Sequence, residues 1–480
     1  MWERFHLGSP GPGPPDIVSD HQGQARGRHG DDACQDEGVT VRKNSKKWVA
    51  VAGIASISLL ASACGGNDTE TPATPGASGG TSGGAKDITL TVATFNNFGY
   101  TDELLKEYMD ANPGIKVVHN KAAKSDDARA NLTTRIAAGG DGLADIEAID
   151  IDWMTEMSQV EDAFADLADP AVEGRWLEWK LNQGKTPSGK LIGYGTDIGP
   201  EAVCYRADLF EKAGLPTDRE EVAKLLEGDW ANYFEVGKKF AEKSDAGWYD
   251  DSSAILQGMI GQIEAPYEDP ATGEARDLAE STEVKAMYEQ ILAVAPELSA
   301  HLVQWEADWD TAFQKDGFAT MLCPAWMTGP IEERAGGVDG WDIADVFPGG
   351  GGNWGGSFLT VPASGKNIDE AKKLAQWLTS PETQIKAFNK AGTFPSQVEA
   401  QTTQDLLDAK NDFFNDAPVG AIFSARATAL NNVKMPFKGK NYFAINTVVG
   451  DAIKRVDVSQ NMDAATSWDK ALSDFKALGL

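Results

Sequence analysis

DITLTVATFNNFGYTDELLKEYMDANPGIKVVH, residues 87–119, begins with apolar and polar residues that alternate from 88 to 94. This period of two predicts a strand. Thr101 then stands at an N-cap position, and apolar residues follow it at the spacing of one helix face until the sequence Asn-Pro-Gly at 112–114 ends the helix. A second strand is predicted to start at Ile115. The stretch therefore predicts a strand, a helix and a strand in succession.

The same succession continues to about residue 153. Ser125 is expected to cap a second helix, and residues 145–151 form a further predicted strand. Such alternation predicts a parallel or mixed sheet with helices on both faces, which binds ligands beyond the carboxyl ends of its strands. Four residues that follow predicted strands are candidate ligand contacts: Asn96, Asn97, Asp152 and Trp153. Asn and Asp in loops also form turns, and this alternative stays open for each of them.

A glycine-rich loop surrounds a single tryptophan in PGGGGNWGGSFLTV, residues 348–361. Because glycine carries no side chain, the indole of Trp354 stands on bare backbone beside a predicted strand at 357–361. An indole face suits the CH-rich face of a pyranose ring, and nearby amides and carboxylates would bind the hydroxyls. The alternative is that Trp354 fills a core, as mostly apolar aromatic residues usually do.

Two glycine patterns that would suggest a nucleotide are rejected. Gly350, Gly352 and Gly355 match the spacing of the dinucleotide fingerprint, but that motif follows a strand and opens a helix, whereas these glycines follow a proline and lead into a strand. The segment that ends in GKT at 184–186 has Trp179 where a phosphate-binding loop requires its first glycine. We therefore expect no cofactor.

Residues 194–201, YGTDIGPE, are interpreted as a crossover between two domains because glycine and proline interrupt them. The carboxylates of Asp197 and Glu201 are expected to face a cleft there. Further strands and amphipathic helices are predicted at residues 202–205, 318–323, 368–378 and 464–478. Trp326 follows the strand at 318–323.

The first 86 residues read as targeting signals and a linker. Residues 1–40 have the Gly-, Pro- and Asp-rich composition of a segment that cannot fold. Basic residues at 42–47, an apolar run at 48–60 and the sequence ASAC at 61–64 then follow in the order of a signal peptide, which we expect at 41–63. Because signal peptides are N-terminal, translation is expected to start near residue 39 or 41, which makes 1–40 an upstream artefact. The apolar run is short for a membrane span.

Residues 61–64 resemble the lipobox of bacterial lipoproteins, in which the cysteine is diacylated, although Ala61 stands where leucine is usual. Cys64 is therefore expected to carry lipid, and residues 64–86, rich in Gly, Ser, Thr and Pro, to form a flexible tether. Two acyl chains give stable anchoring to a membrane without a transmembrane helix.

Charge and histidine content argue against several classes of function. The 480 residues include 73 acidic and 43 basic ones, a formal charge of −30, so phosphate backbones would repel the chain and nucleic acid is not an expected partner. Only His119 and His301 follow residue 41, and neither the HExxH nor the GxSxG motif occurs. The pairs Asp150/Asp152 and Asp250/Asp251 lack the spacing of a calcium loop, so no metal is expected.

Five stretches resemble the extracellular solute-binding proteins of ABC importers, in the family that includes maltose-binding proteins. They are GYGTDIGPEAVCYRADLFEKAGLP (193–216), FATMLCPAWMTG (318–329), GWDIADVFPGGGGNWGGSFLTVP (340–362), EAKKLAQWLTSPETQIKAFNKAGTFPS (370–396) and PVGAIFSARA (418–427). The resemblance extends over nearly all of residues 87–480 and is closest to actinobacterial cellobiose and cello-oligosaccharide-binding lipoproteins. It implies an α/β fold of two lobes, the type II periplasmic-binding-protein fold, with hinge crossovers and a ligand cleft between the lobes.

Carried onto this chain, the resemblance implies one lobe of residues 87–195 and 325–380 and another of 196–324 and 381–480. Trp326 and Trp354 would stack on sugar rings. The further contacts that it implies are Asp197, Glu201, Asp152, Asn96, Trp153, Tyr100 and Arg426. Cys204 and Cys323 would lie on strands of one lobe in an oxidising compartment, where a disulfide is expected rather than two free thiols.

The function implied is that of a lipid-anchored monomeric receptor on the outer face of the cytoplasmic membrane. It would capture an oligosaccharide, with cellobiose or cello-oligosaccharide favoured, and deliver it to a permease after hinge closure. Xylo-, manno- and malto-oligosaccharides remain open. So does a secreted glycoside hydrolase, which needs two carboxyls roughly 5 to 10 Å apart. A surface adhesion module would show repeats or flat β architecture, and the sequence has neither.

Overall fold

A computed structural model describes residues 87–480. The expected upstream segment (1–40), signal peptide (41–63), lipidated Cys64 and tether (64–86) lie outside the described residues. Between residues 87 and 480, no helix has the length and apolar character needed to cross a membrane.

The strands, in chain order, are β1 (Ile88–Phe95), β2 (Ile115–Ala122), β3 (Ile146–Asp150), β4 (Tyr194–Gly195), β5 (Asp197–Ile198), β6 (Glu201–Arg206), β7 (Thr320–Pro324), β8 (Trp341–Ala344), β9 (Ser357–Thr360) and β10 (Phe394–Pro395).

The helices between β1 and β9 are α1 (Asp102–Ala111), α2 (Ser125–Ala137), α3 (Ile151–Ser158), α4 (Glu178–Gln183), α5 (Ala207–Ala213), α6 (Arg219–Leu226), α7 (Trp230–Ala241), α8 (Ser252–Ile260), α9 (Thr282–Leu298), α10 (Ala307–Ala312) and α11 (Thr328–Ala335). Those that follow are α12 (Ile368–Leu378), α13 (Pro381–Ala391), α14 (Val398–Gln401), α15 (Gln404–Leu407), α16 (Val419–Ala429), α17 (Tyr442–Asp457) and α18 (Ala464–Ala477).

Five strands form a mixed sheet in the order β2-β1-β3-β9-β4. The first three are parallel, and β9 runs antiparallel to both β3 and β4. Consecutive residues of β3 and β9, at 146–149 and 357–360, are all buried, so these central strands are covered on both faces. The carboxyl ends of β1 and β3 therefore meet at one edge of this sheet, as the strand–helix alternation predicted.

Three strands form a second sheet in the order β7-β6-β8, with β6 antiparallel to both neighbours. A separate hydrophobic core packs this sheet against α7, α8, α9 and α17. The chain passes between the two sheets at residues 194–206, where β5 pairs with β10, and again between β8 and β9. These two passages run side by side.

Local capping explains where the first helices begin. The Thr101 side chain accepts a hydrogen bond from the Leu104 amide at 3.2 Å, as the sequence predicted. Ser125 was predicted to cap the second helix, but α2 starts at Ser125 itself, whose hydroxyl accepts a hydrogen bond from the Trp153 indole instead. Asp150 caps α3, since its side-chain oxygen accepts a hydrogen bond from the Asp152 amide at 2.9 Å.

One strand bears on the expected division of the chain into lobes. Residues 325–380 were expected in the lobe of the first sheet, yet β8 lies within that range and pairs with β6 in the second sheet. The chain rejoins the first sheet only at Ser357, the first residue of β9. We therefore propose that the return crossover lies at residues 345–356 and that 325–344 belongs with the second sheet.

Candidate functional site

The two crossover passages hold Trp354 in place. Its amide donates to the Gly199 carbonyl at 2.9 Å, and the Gly199 amide donates to the Asn353 side-chain oxygen at 2.9 Å. A Cβ on Gly199 would lie 1.8 Å from the Trp354 carbonyl oxygen, so only glycine permits this approach. The loop of residues 348–356, called the glycine loop below, is thereby fixed against the first crossover.

Three half-buried tryptophans form what we call the indole row: Trp354, Trp326 and Trp305. The Trp326 indole nitrogen donates to the Trp354 carbonyl oxygen at 2.8 Å, and the ring centroids are 5.7 Å apart at an interplanar angle of 81°. Trp305 stacks on Trp326 at 6.1 Å and 20°. The row packs on a core that surrounds Cys204 and Cys323.

The indole row lines a cleft of about 310 Å³, within the usual range for a small-ligand site. Residues that follow β1 and β3, and residues of α8 and α17, also line this cleft. The polar residues that line the cleft are Asn96, Asn97, Lys124, Ser125, Asp126, Asp150, Asp152, Asp197, Ser253, Gln257, Ser357, Thr393, Asn446, Thr447, Asp451 and Lys454. Aromatic faces beside amides and carboxylates are the composition that a hydroxyl-rich ring requires.

Asn96 ends β1 in the left-handed backbone region, with a φ of 48°. Asn is among the few residues that adopt this conformation readily, and its amide remains bonded to the Ala122 carbonyl at 3.1 Å. Asn97 is partly engaged by a turn, because its side-chain oxygen accepts from the Gly99 amide at 3.1 Å. Both residues line the cleft, so the turn role of Asn97 does not exclude the ligand contact that the sequence left open, which stays a prediction.

Asp152 lines the cleft from the first turn of α3, where its carboxylate forms an ion pair with Lys438. Both side chains are largely buried, with 16% and 11% exposed. The Thr155 hydroxyl donates to the Lys438 carbonyl at 2.8 Å, so α3 is tied twice to the loop that precedes α17. The neighbouring Asp150 has its pKa raised by burial and by the charge of Asp152.

Asp197 lies at the floor of the cleft on β5. One of its oxygens accepts hydrogen bonds from the Thr196 hydroxyl at 2.7 Å and the Ser357 amide at 2.9 Å. Below it, the fully buried Lys180 ammonium lies 3.8 Å from the centroid of the Phe358 ring and has no hydrogen-bond partner among residues 87–480. Burial lowers the pKa of Lys180 to about 8, while the charge of Asp197 opposes this shift. Burial likewise raises the pKa of Asp197, and Lys180 opposes that.

Five of the residues that the sequence proposed are therefore together at the cleft with open faces or polar groups: Trp354, Trp326, Asp197, Asp152 and Asn96. Trp153 also borders it, but its indole is only 1% exposed and donates to the Ser125 hydroxyl at 3.1 Å. Trp153 therefore supports the cleft from within the hydrophobic core of the five-stranded sheet.

Three proposed residues are not brought to the cleft. Glu201, expected to face it, is 1% exposed, packs beneath Gly352 of the glycine loop, and has its pKa raised to about 8 by burial. Tyr100 packs between Phe98 and His119 beside a small separate cavity. Arg426 pairs with Asp345 at 2.5 Å in another surface depression. Glu201 lies on β6, Arg426 on α16 and Tyr100 in the loop before α1, and the direction of each side chain is set by packing that local sequence does not reveal.

The sequence interpretation missed Trp305 and the polar residues of α8 and α17. Trp305 follows no predicted strand, and Ser253, Gln257, Asn446 and Lys454 stand on helices whose cleft-facing side is recognisable only after the helices are packed.

Cys204 of β6 and Cys323 of β7 are joined, with Cα atoms 5.4 Å apart on neighbouring strands. Both are fully buried beneath the indole row, in the core on which its tryptophans pack. No cluster of three or more His, Cys, Asp or Glu that could hold a metal is found in residues 87–480.

Comparisons with a family model and with solved structures identify the same protein family. The family model described as bacterial extracellular solute-binding protein matches residues 103–415. A crystal structure of an extracellular solute-binding protein of family 1 is 44% identical, with a TM-score of 0.70, and the match covers 81% of this chain and 98% of that one. No curated protein matches the chain.

More distant structures show the fold alone. The ABC-transporter-associated binding protein of B. animalis subsp. lactis, solved with β-1,6-galactobiose, is 18% identical over 82% of this chain and 97% of its own, with a TM-score of 0.67. The galacto-N-biose-/lacto-N-biose I-binding protein of Bifidobacterium longum, solved with lacto-N-biose, is 17% identical over 83% and 99%, with a TM-score of 0.65. These matches confirm the expected two-lobed α/β fold class.

Proposed function

Since the chain belongs to the bacterial extracellular solute-binding proteins, we propose that it captures an oligosaccharide in the cleft beside the indole row. The observation that carries the proposal is the row itself, in which half-buried indoles line one cleft together with amides and carboxylates. Structural neighbours solved with β-1,6-galactobiose and lacto-N-biose give independent support for a sugar. Cellobiose or a cello-oligosaccharide remains the first candidate, with xylo-, manno- and malto-oligosaccharides as alternatives.

Each residue has a distinct role in this proposal. Trp354 and Trp326 offer ring faces to pyranose rings, while Asp152, Asp197 and Asn96 accept hydrogen bonds from hydroxyls. Because sugar hydroxyls are donors, carboxylates that already have one fixed partner are well suited: their orientation is set, and a second lone pair remains available. The contacts between α3 and the loop before α17 would form on hinge closure, the step that a permease recognises.

The proposed location is the outer face of the cytoplasmic membrane. Cys64 would carry the lipid, and residues 64–86 would let the folded part reach an ABC permease. Mass spectrometry of the protein from membranes should find a diacylated N-terminal cysteine at position 64, and Cys64→Ser should release the protein into the medium. An unmodified residue 64 in membrane-bound protein would contradict the lipid anchor without affecting sugar capture.

The test of sugar binding is calorimetric titration with cello-, xylo-, manno- and malto-oligosaccharides, followed by assay of the mixtures for new reducing ends. Saturable heat without cleavage is the expected result. Trp354→Ala should weaken binding roughly 5- to 150-fold, since a stacked ring contributes on the order of 1–3 kcal/mol. Trp377→Ala is the matched control, because Trp377 is also half-buried but packs against Tyr108 away from the cleft.

The rival function is a glycoside hydrolase, for which new reducing ends would be decisive. Asp150 caps α3, Asp152 pairs with Lys438 and Asp197 accepts two hydrogen bonds, but Asp126 and Asp451 also line the cleft. The assay for new reducing ends, rather than the arrangement of carboxylates, therefore separates the two functions. Near-wild-type binding by Trp354→Ala would instead assign that residue to the core.

A further inference from the structure

Lys180 of α4 is a buried cation whose charge the packing of the fold does not require. Its side chain is fully buried, and its ammonium nitrogen has no hydrogen-bond partner among residues 87–480. Burying a charge without such a partner costs free energy that a methionine of similar length would avoid. The stem packs against β4, where a Cβ on Gly195 would lie 3.0 Å from the Lys180 Cγ. An apolar residue would fill this space equally well, so the positive charge itself calls for an explanation.

The ammonium lies immediately behind the wall of the cleft. Gly356 lines the cleft, and a Cβ on this glycine would lie 3.0 Å from the Lys180 nitrogen. The ammonium also lies over the Phe358 ring, 3.8 Å from its centroid, and the π face of that ring partly offsets the charge. The charge is therefore next to the volume that a ligand would fill, although the side chain is not exposed there.

Two carboxylates at the cleft face this charge from other elements. Asp197 of β5 acts on Lys180 most strongly and Asp150, at the end of β3, acts less strongly. Lys438, from the loop before α17, acts in the opposite direction and is itself paired with Asp152. Lys180 therefore compensates the carboxylate charge of the cleft from a position that a ligand does not touch.

A ligand that fills the cleft changes the surroundings of the carboxylates more than those of the ammonium, which is already fully buried. Asp197 and Asp150 line the cleft, so a ligand displaces water from them and their attraction for Lys180 increases in the drier site. Asp197 has to be ionised to offer all its lone pairs to sugar hydroxyls. Burial raises the pKa of Asp197, and the charge of Lys180 opposes that shift.

We propose that Lys180 is a positioning residue for sugar capture, which keeps Asp197 ionised as an acceptor for sugar hydroxyls and makes affinity depend on its own positive charge. This inference rests on the proposed function, because it assumes that hydroxyls bind at Asp197. It adds a residue that contacts no ligand and acts through one that does.

The sign of the pH dependence follows from the same groups. Burial lowers the pKa of Lys180 to about 8. Stronger attraction by the dehydrated carboxylates should raise this pKa by about one unit in the complex, so that binding takes up a proton. Affinity is then complete below about pH 8 and falls about tenfold as pH rises through about 9, because the higher pKa belongs to the bound form.

The experiment measures dissociation constants by calorimetry between about pH 6.5 and 10, with whichever of cellotriose, xylotriose, mannotriose and maltotriose binds the wild type. Lys180→Met should bind about tenfold more weakly than wild type at pH 7, and the two proteins should converge at the alkaline end. Burial also raises the pKa of Glu201 to about 8, so the difference between the two proteins, rather than either profile alone, tests the proposal. Lys185→Met is the matched control, because Lys185 is an exposed lysine just after α4 and its replacement should leave the wild-type profile unchanged.

Titration at pH 8.5 in two buffers of different ionisation enthalpy gives the number of protons taken up on binding. Wild type should take up about half a proton more than Lys180→Met, since this pH lies midway between the two pKa values. In the Asp197→Asn background, Lys180→Met should change affinity by less than about twofold, because the carboxylate through which it acts is absent. A role confined to packing would change neither the proton uptake nor this coupling.

The outcomes separate the inference from the proposed function. Equal affinity of wild type and Lys180→Met at every pH, or a loss that is the same at every pH with unchanged proton uptake, overturns the role of Lys180 while sugar capture stands. A cooperative urea transition would show that Lys180→Met folds; if it does not fold, the absence of proton uptake by wild type at pH 8.5 overturns the role by itself. A wild type that binds none of the four sugars removes the proposed function and this inference together.

Discussion

Gly199→Ala is the sharpest test of how the site is built, because it adds one methyl group at the point where the two crossovers touch. The new Cβ would lie 1.8 Å from the Trp354 carbonyl oxygen and 3.2 Å from the Trp326 indole nitrogen. Ordinary contact begins at 3.4 Å, so the two segments must separate by about 1.6 Å. That separation acts on both tryptophans at once.

The cost follows from the contacts that would be lost. Overpacking against backbone atoms, which cannot rotate away, costs about 1–3 kcal/mol. The hydrogen bonds from Trp354 to Gly199 and from Gly199 to Asn353, both 2.9 Å long, would also lengthen, at about 1 kcal/mol each. We expect the free energy of unfolding to fall by about 3 kcal/mol and sugar affinity to fall at least tenfold, since ring stacking needs the indoles in place.

Urea denaturation measures the first quantity and calorimetric titration the second. Gly351→Ala is the matched control: it lies in the glycine loop at a φ that any residue tolerates, and its Cβ would meet its nearest neighbours at 3.6 Å, an ordinary contact. It should change neither quantity by more than about 0.5 kcal/mol. Wild-type stability and affinity in Gly199→Ala would refute the close approach of the crossovers and, with it, the placement of Trp354.

Three further predictions concern charges and cross-links. Replacing Cys204 and Cys323 together by alanine opens a loop of 119 residues, so the free energy of unfolding measured by urea denaturation should fall by about 5 kcal/mol. Two free thiols in the unfolded wild type would contradict the disulfide. Burial raises the pKa of Glu147 to about 7, so the folded protein holds this proton more tightly than the unfolded chain, and stability should decrease as pH rises from about 4.5 to 7. Glu147→Gln should remove this decrease and have a free energy of unfolding about 3 kcal/mol higher than wild type at pH 8. Parallel profiles of stability against pH in the two proteins would disprove the assignment. Lys438→Met leaves the largely buried Asp152 carboxylate without its partner and should weaken sugar binding about tenfold by calorimetry, whereas Lys438→Arg should keep most of the affinity. Equal binding by the wild type and both variants would argue against this ion pair as a support of the cleft.

Periodicity and capping were sufficient for most individual elements. The strand predicted at 88–94 is β1, the helix after Thr101 is α1, and the amphipathic helix predicted at 368–378 matches α12 residue for residue. These elements depend on neighbours within a few residues along the chain. Prediction was less accurate where a cap had a competing partner: Ser125 serves the distant Trp153 rather than its own helix.

The division of the chain between the two sheets was harder to predict. β8 has the apolar character of any buried strand, and nothing local indicates that it pairs with β6 rather than with the first sheet. Strand pairing is a contact between residues far apart in sequence, so an isolated strand carries no record of its partner. The resemblance to known proteins indicated the crossovers approximately, and from the strand pairing we propose that they lie at 194–206 and 345–356.

By itself, the sequence determined the strand–helix alternation and singled out Trp354 in its glycine loop, whereas the two-lobed fold class and Trp326 came from the resemblance to known proteins; both tryptophans line the cleft. The ends of predicted strands also indicated Asn96 and Asp152, which line the cleft, and their contact with a ligand stays a prediction. Only the tertiary structure decided that Trp305 completes the row, that Glu201 is buried under the glycine loop and that Arg426 lies elsewhere. The physical reason is that side-chain periodicity records which face of an element is buried, whereas the partner that buries it is chosen by packing across hundreds of residues.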